Sequence, residues 1–137
     1  MSDKDKSQPT VLIIDDDEVN RIVLEKLFHR ENIISSLAKN GREGMIMAKK
    51  IMPDIILLDI FMPDENGFKI LANLKNDPDL EKIPVCIFSI LEDEEKIKKA
   101  HQMGACAYIT KPFDMKETVT RVKQILTKCI AIDDTSR

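Results

Sequence analysis

The chemistry of this chain is concentrated in five polar residues, each set just after a short apolar run. Asp15 and Asp16 follow Val11-Leu12-Ile13-Ile14, and Asp59 follows Ile55-Ile56-Leu57-Leu58. Ser89 follows Val85-Cys86-Ile87-Phe88, and Lys111 comes soon after the run from Ala105 to Ile109. Carboxylates brought close together raise one another's pKa unless a cation lies among them. Hard oxygen donors with room for water suit Mg²⁺, which takes few protein carboxylates together with a phosphate. A carboxylate there can also attack phosphorus to give an acyl phosphate. A hydroxyl and an ammonium would then bind the phosphoryl oxygens as charge develops. Taken singly, each residue has a plainer role. Asp residues before a helix cap it, and a Lys before Pro is ordinary surface charge. The coincidence of all five at the ends of four runs carries the chemical reading. No GxxxxGK[ST] loop is present, so a nucleotide site is not expected.

The elements that must position them follow from hydrophobic period. Residues 11–14 are too compact a run for a helix face and read as a strand. From Val19 the period changes, with Val19, Ile22, Val23 and Leu27 expected on one apolar helical face and Asp17 as N-cap. A weaker strand is expected over Asn32 to Ala38. Asn40-Gly41 is a turn, and the helix after it runs to about Lys50 and is ended by Pro53. A strand over Asp54 to Leu58 leads to a loop with Pro63, Asp64, Asn66 and Gly67. Phe68, Leu71 and Leu74 mark a third helix. Pro84 introduces the strand ending at Ser89. Glu92 to Met103 is a fourth helix with Gly104 at its C′ position. Ala105 to Ile109 is a fifth strand, and Val119, Val122, Ile125, Leu126 and Cys129 stripe a last helix. Five strands alternating with five helices, the strands continuously apolar, indicate a parallel sheet covered on both faces. In such a sheet, ligands bind beyond the carboxyl ends of the strands. That is where the five polar residues fall.

The whole fits one domain of 137 residues, with residues 1–9 as a flexible arm, 10–128 as the domain and 129–137 as a tail or the start of a linker. Lys plus Arg number 21 and Asp plus Glu 24, a net charge of −3 that supplies no basic surface for direct nucleic-acid binding. No apolar run is long enough to cross a membrane, and the first ten residues lack the apolar stretch of a signal peptide. Aromatics are only 4% and Trp is absent, so the core must be aliphatic. Cys86, Cys106 and Cys129 show no metal-ligand spacing and read as reduced, mostly buried thiols of a cytoplasmic protein.

The ordered set Ile14-Asp15-Asp16-Asp17, Leu58-Asp59-Ile60-Phe61-Met62-Pro63, Asn66-Gly67-Phe68, Pro84 to Ser89, Gly104-Ala105 and Tyr108-Ile109-Thr110-Lys111-Pro112-Phe113 resembles the receiver domain of two-component response regulators, of the kind found in the bacterial chemotaxis regulator. The resemblance covers about Pro9 to Lys128. It implies a flavodoxin-like, doubly wound (βα)5 fold with a five-stranded parallel sheet in the order 2-1-3-4-5. It also implies a signalling phosphoacceptor, with self-phosphorylation and self-dephosphorylation as its only chemistry. By the same resemblance, Asp59 takes the phosphoryl group. Mg²⁺, or Mn²⁺ in its place, is held by Asp16, Asp59 and the Phe61 backbone carbonyl, and by Asp15 through water. Ser89 and Lys111 bind phosphoryl oxygens, and Lys111-Pro112 matches a cis peptide of the family. Ser89 and Tyr108 form a switch that reshapes the face made of the fourth helix, fifth strand and fifth helix. The donor that the resemblance implies is a sensor histidine kinase or a histidine phosphotransfer protein. The expected output is a downstream protein or a homodimer through the switch face, with no direct nucleic acid and no membrane.

Three positions depart from the family pattern. Ile90 stands where Ala or Gly is usual, narrowing access to Asp59. Phe61 and Leu91, two residues after Asp59 and Ser89, stand where faster-cycling relatives often carry polar groups. An apolar pair there excludes attacking water and prolongs the phosphoryl group. Two rival functions fit the residues less well. A Mg²⁺-dependent phosphatase with an Asp nucleophile needs a second Asp two residues on, and Phe61 occupies that place. A degenerate receiver-like binding module would not need all of Asp15, Asp16, Asp59, Ser89 and Lys111. His29 and His101 are expected as surface or boundary residues, and Met45, Met47 and Met52 as helix packing. The chain is read either as a stand-alone receiver that works by protein–protein contact or as a receiver cut from a longer protein.

Overall fold

In the computed structural model, residues 8–62, 65–111 and 115–135 are described, with side chains to Lys128. Five strands form the main sheet: β1 (Thr10–Ile14), β2 (Ile34–Ala38), β3 (Ile55–Leu58), β4 (Val85–Ser89) and β5 (Ala107–Thr110). All neighbours are parallel, in the order β2-β1-β3-β4-β5. The helices are α1 (Glu18–Arg30), α2 (Gly41–Ile51), α3 (Gly67–Asn76), α4 (Glu94–Gln102) and α5 (Met115–Thr135). A two-stranded antiparallel ribbon, Phe61–Met62 with Glu65–Asn66, lies in the segment expected as plain loop.

The continuous apolar strands divide by period two. Leu12, Ile14, Ile56, Leu58, Val85 and Ile87 face α2, α3 and α4, meeting Ala48, Leu71, Leu74 and Ala100. Val11, Ile13, Ile55, Leu57, Cys86 and Phe88 face α1 and α5, meeting Leu24, Phe28, Val119, Val122 and Leu126. Both faces being covered, every position of β1, β3 and β4 profits from an apolar residue.

The helix starts are set by capping. Asp17 accepts from Val19 N at 2.9 Å and Asn20 N at 3.2 Å, as expected from sequence. Asn40 caps α2, Asn66 caps α3 and Asp93 caps α4. Gly104 takes φ +106, which suits its C′ position after α4. Gly67 is required for close approach, since a Cβ there would lie 2.2 Å from Ile60 Cα.

Several expectations are corrected. The α1 stripe of Val19, Ile22 and Val23 faces outward, Val19 being 67% exposed, and only Leu27 is partly covered. The helix instead buries Leu24 and Phe28, one turn apart, because Phe28 offers the largest apolar surface and fixes the rotation. Cys106 is exposed, since its neighbours Ala105 and Ala107 take the inward positions. Met52 is also exposed; it leaves α2 as a C-cap with φ 47 rather than packing. Helix α4 starts at Glu94 and β5 at Ala107, each two residues later than the sequence period indicates.

Candidate functional site

The register of the sheet brings the polar residues to one edge. Ile14 pairs with Leu58, so Asp15 and Asp59 leave neighbouring strands together. Asp59 N donates to Ile14 O at 3.0 Å, and Asp15 N to Ala38 O at 3.1 Å. On the other side Ser89 pairs with Thr110, and Lys111 N donates to Ser89 O at 2.7 Å.

Lys111 joins the two sides. Its Nζ lies 2.8 Å from Asp59 Oδ2 and 3.2 Å from Asp15 Oδ2. Asp15 is 1% exposed and Asp59 2%, so both charges are out of water and require a partner. Lys111 also stands over the Phe88 ring, 5.1 Å from its centroid. Asp59 Oδ1 accepts from Phe61 N at 2.8 Å, which places the Phe61 peptide beside the carboxylate. Asp16 is exposed, and one oxygen from each of Asp15, Asp16 and Asp59 lies within 4.8 Å of the others.

The electrostatics follow from this packing. Burial pushes the Asp59 carboxyl up to about 6 from an ordinary 3.8, against the pull of Lys111 and the Phe61 amide, and the charge of Asp15 adds to the rise. Burial would lower the Lys111 ammonium, yet Asp59 and then Asp15 carry it above its ordinary value. Three oxygen donors this close, one of them hard to ionise alone, suit a divalent cation. No protein nitrogen or sulfur belongs to the set, which favours a hard ion.

Residues 11–123 match the family model described as the response regulator receiver domain. The chain belongs to this receiver family. It is a phosphoacceptor module of two-component signalling. The receiver domain is 35% identical over 117 residues to the chemotaxis protein CheY of Halobacterium salinarum, covering 85% of this chain and 96% of that protein. It is 34% identical over 124 residues to the response regulator PleD of Caulobacter vibrioides, covering 90% of this chain. The chain spans 27% of the length of PleD. Its fold matches the solved receiver domain of the Francisella response regulator 1452 with a TM-score of 0.79 at 28% identity, covering 88% of this chain and 98% of that one.

Within the receiver domain, Tyr108 is half-buried on β5 and its hydroxyl donates to Leu91 O at 2.8 Å. Ser89 is fully buried, and its Oγ accepts from Leu91 N at 3.1 Å. Burial raises the Tyr108 phenol; the nearby Ser89 hydroxyl opposes that shift and the Asp59 charge adds to it. Ile90 is 57% exposed and Phe61 50%, so much of each side chain faces outward at the rim. The Lys111-Pro112 bond lies outside the described residues.

Sequence reasoning passed over two residues that hold Asp15. Arg21 Nη1 donates to Asp15 O at 2.7 Å, and Asn20 Nδ2 reaches Asp15 Oδ2 at 3.3 Å. Their signal was position: polar residues in the first turns of the helix that follows an acidic strand end. The sequence marks Leu91 only by its apolar side chain, whereas its backbone joins Ser89 to Tyr108.

Proposed function

We propose that Asp59 is the phosphoacceptor and that Asp15, Asp16 and Asp59, with the Phe61 carbonyl, hold Mg²⁺ or Mn²⁺, Asp15 acting through water. The observation that carries this reading is the buried Asp59 carboxylate, bonded to Lys111 on one oxygen and to the Phe61 amide on the other. A carboxylate oxygen of Asp59 attacks the phosphorus of a phosphohistidine. A P–O bond forms as the P–N bond breaks, and the imidazole leaves with the electron pair and takes up a proton. When bound, the cation offsets the charge on the phosphoryl oxygens. Lys111 then exchanges part of its contact with Asp59 and Asp15 for a phosphoryl oxygen, and Ser89 gives up Leu91 N to donate to another.

Loss of the Ser89–Leu91 bond frees the segment that Tyr108 also holds. That supports a switch in the face of α4, β5 and α5, read by a downstream protein or by a second copy. The donor is a sensor histidine kinase or a histidine phosphotransfer protein in the cytoplasm, and no substrate turnover follows beyond phosphorylation and dephosphorylation of the domain itself.

The test is intact-mass spectrometry after incubation with Mg²⁺ and a phosphorylated histidine phosphotransfer protein. One phosphoryl group is expected on the wild type and none on folded Asp59→Asn. Equal labelling of both would refute the assignment. Gel filtration with Mg²⁺ and beryllofluoride then separates a homodimeric output from a heterologous one.

A further inference from the structure

Between α1 and α5 runs a groove of about 700 Å³, floored by Leu27 and Val119. Its rim is basic. Lys123 pairs with Glu31 at 2.6 Å, while Arg30 and Lys128 have no ionic partner among the described residues. The opposite pattern lies at the start of α4. Ile90 is exposed, and Glu92, Glu94 and Glu95 follow within five residues, all exposed and none in an ion pair among the described residues. Asp93 is occupied as the N-cap, accepting from Glu95 N at 2.8 Å.

We infer that this acidic tongue, Ile90 to Glu95, docks in the α1/α5 groove of a second copy of the chain. Ile90 meets the floor of Leu27 and Val119, and Glu92, Glu94 and Glu95 meet Arg30, Lys123 and Lys128. Groove and tongue sit on helices covering opposite faces of the sheet, so they cannot satisfy each other within one molecule. The contact is therefore heterologous, joining unlike surfaces, and each added copy leaves one free groove and one free tongue. The net charge of −3 is too small to keep copies apart, and its uneven distribution sets their orientation.

Sedimentation velocity of the full chain, without metal or phosphodonor, tests this. The mean mass should climb past the dimer as concentration rises, and fall back as salt is added. Lys123→Glu with Lys128→Glu should weaken assembly roughly tenfold or more, as should Glu94→Lys with Glu95→Lys. Mixing these two variants should restore it, because each then carries the complement of the other, and no folding defect could be rescued that way. A chain that stays monomeric throughout would overturn the proposal. So would a plateau at dimer indifferent to the groove charges, or variants that mixing does not rescue.

Discussion

The Tyr108 hydroxyl donates to the main-chain carbonyl of Leu91 at 2.8 Å. The amide of that same residue donates to Ser89 Oγ at 3.1 Å. One residue's backbone thus couples the hydroxyl of Ser89, at the proposed phosphoryl site, to an aromatic ring on the outer strand. The chain has one tyrosine and no tryptophan, so its intrinsic fluorescence reports on Tyr108 alone. Mg²⁺ with beryllofluoride should change that emission in the wild type and leave it unchanged in Ser89→Ala. Tyr108→Phe should cost about 1 kcal/mol of stability through the lost hydrogen bond while leaving phosphorylation intact. A Ser89→Ala variant that responds as the wild type does would break the proposed link.

The raised carboxyl of Asp59 predicts a pH dependence. A carboxyl whose folded pKa lies above its unfolded value binds its proton more tightly when folded. Its contribution is therefore most favourable at low pH and is lost as pH rises from 3.8 to about 6. In metal-free buffer, Asp59→Asn should be the more stable protein at pH 7.5, by roughly 1–3 kcal/mol, with the gap closing near pH 4. Urea denaturation at both values gives the answer. Mg²⁺ should narrow the gap by stabilising the wild type. A variant less stable than wild type at pH 7.5 without metal would count against this electrostatic account.

Gly67 lies under the loop that follows Asp59. A Cβ there would meet Ile60 Cα at 2.2 Å and Ile60 O at 2.6 Å, both backbone atoms without a flexible side chain's ability to yield. Gly67→Ala should cost about 2 kcal/mol or more and weaken Mg²⁺ binding, because Ile60 is the residue next to Asp59. Thermal unfolding and Mg²⁺ titration measure the two effects. Unchanged metal affinity would show that the strain stops short of the site.

Phe61 is half exposed, with its own amide on Asp59. Phe61→Asn places a polar group where water must approach an aspartyl phosphate. The phosphoryl group should then be lost severalfold faster, followed as decay of the phosphorylated mass. Equal lifetimes would show that the ring does not exclude water.

By itself the sequence determined the alternation of strands and helices, the burial of the sheet on both faces and the edge on which the five polar residues gather. The reason is that apolar runs and turn residues act locally, and in a parallel sheet each strand's carboxyl end has one place to go. The cap at Asp17 and the turn at Asn40-Gly41 were legible for the same reason, whereas the capping bond of Asn40 to Glu43 N is a finding of the structure. Tertiary structure alone decided the rotation of α1, because Val19, Ile22 and Val23 make as good a stripe as Leu24 and Phe28 until the sheet selects the larger group. It alone decided that Lys111, 52 residues from Asp59, closes on that carboxylate and on Asp15 together. It alone turned the Leu91 backbone into the bridge between Ser89 and Tyr108. Those contacts depend on strand register and on main-chain groups, and every residue type offers the same main-chain groups, so no side-chain pattern announces them.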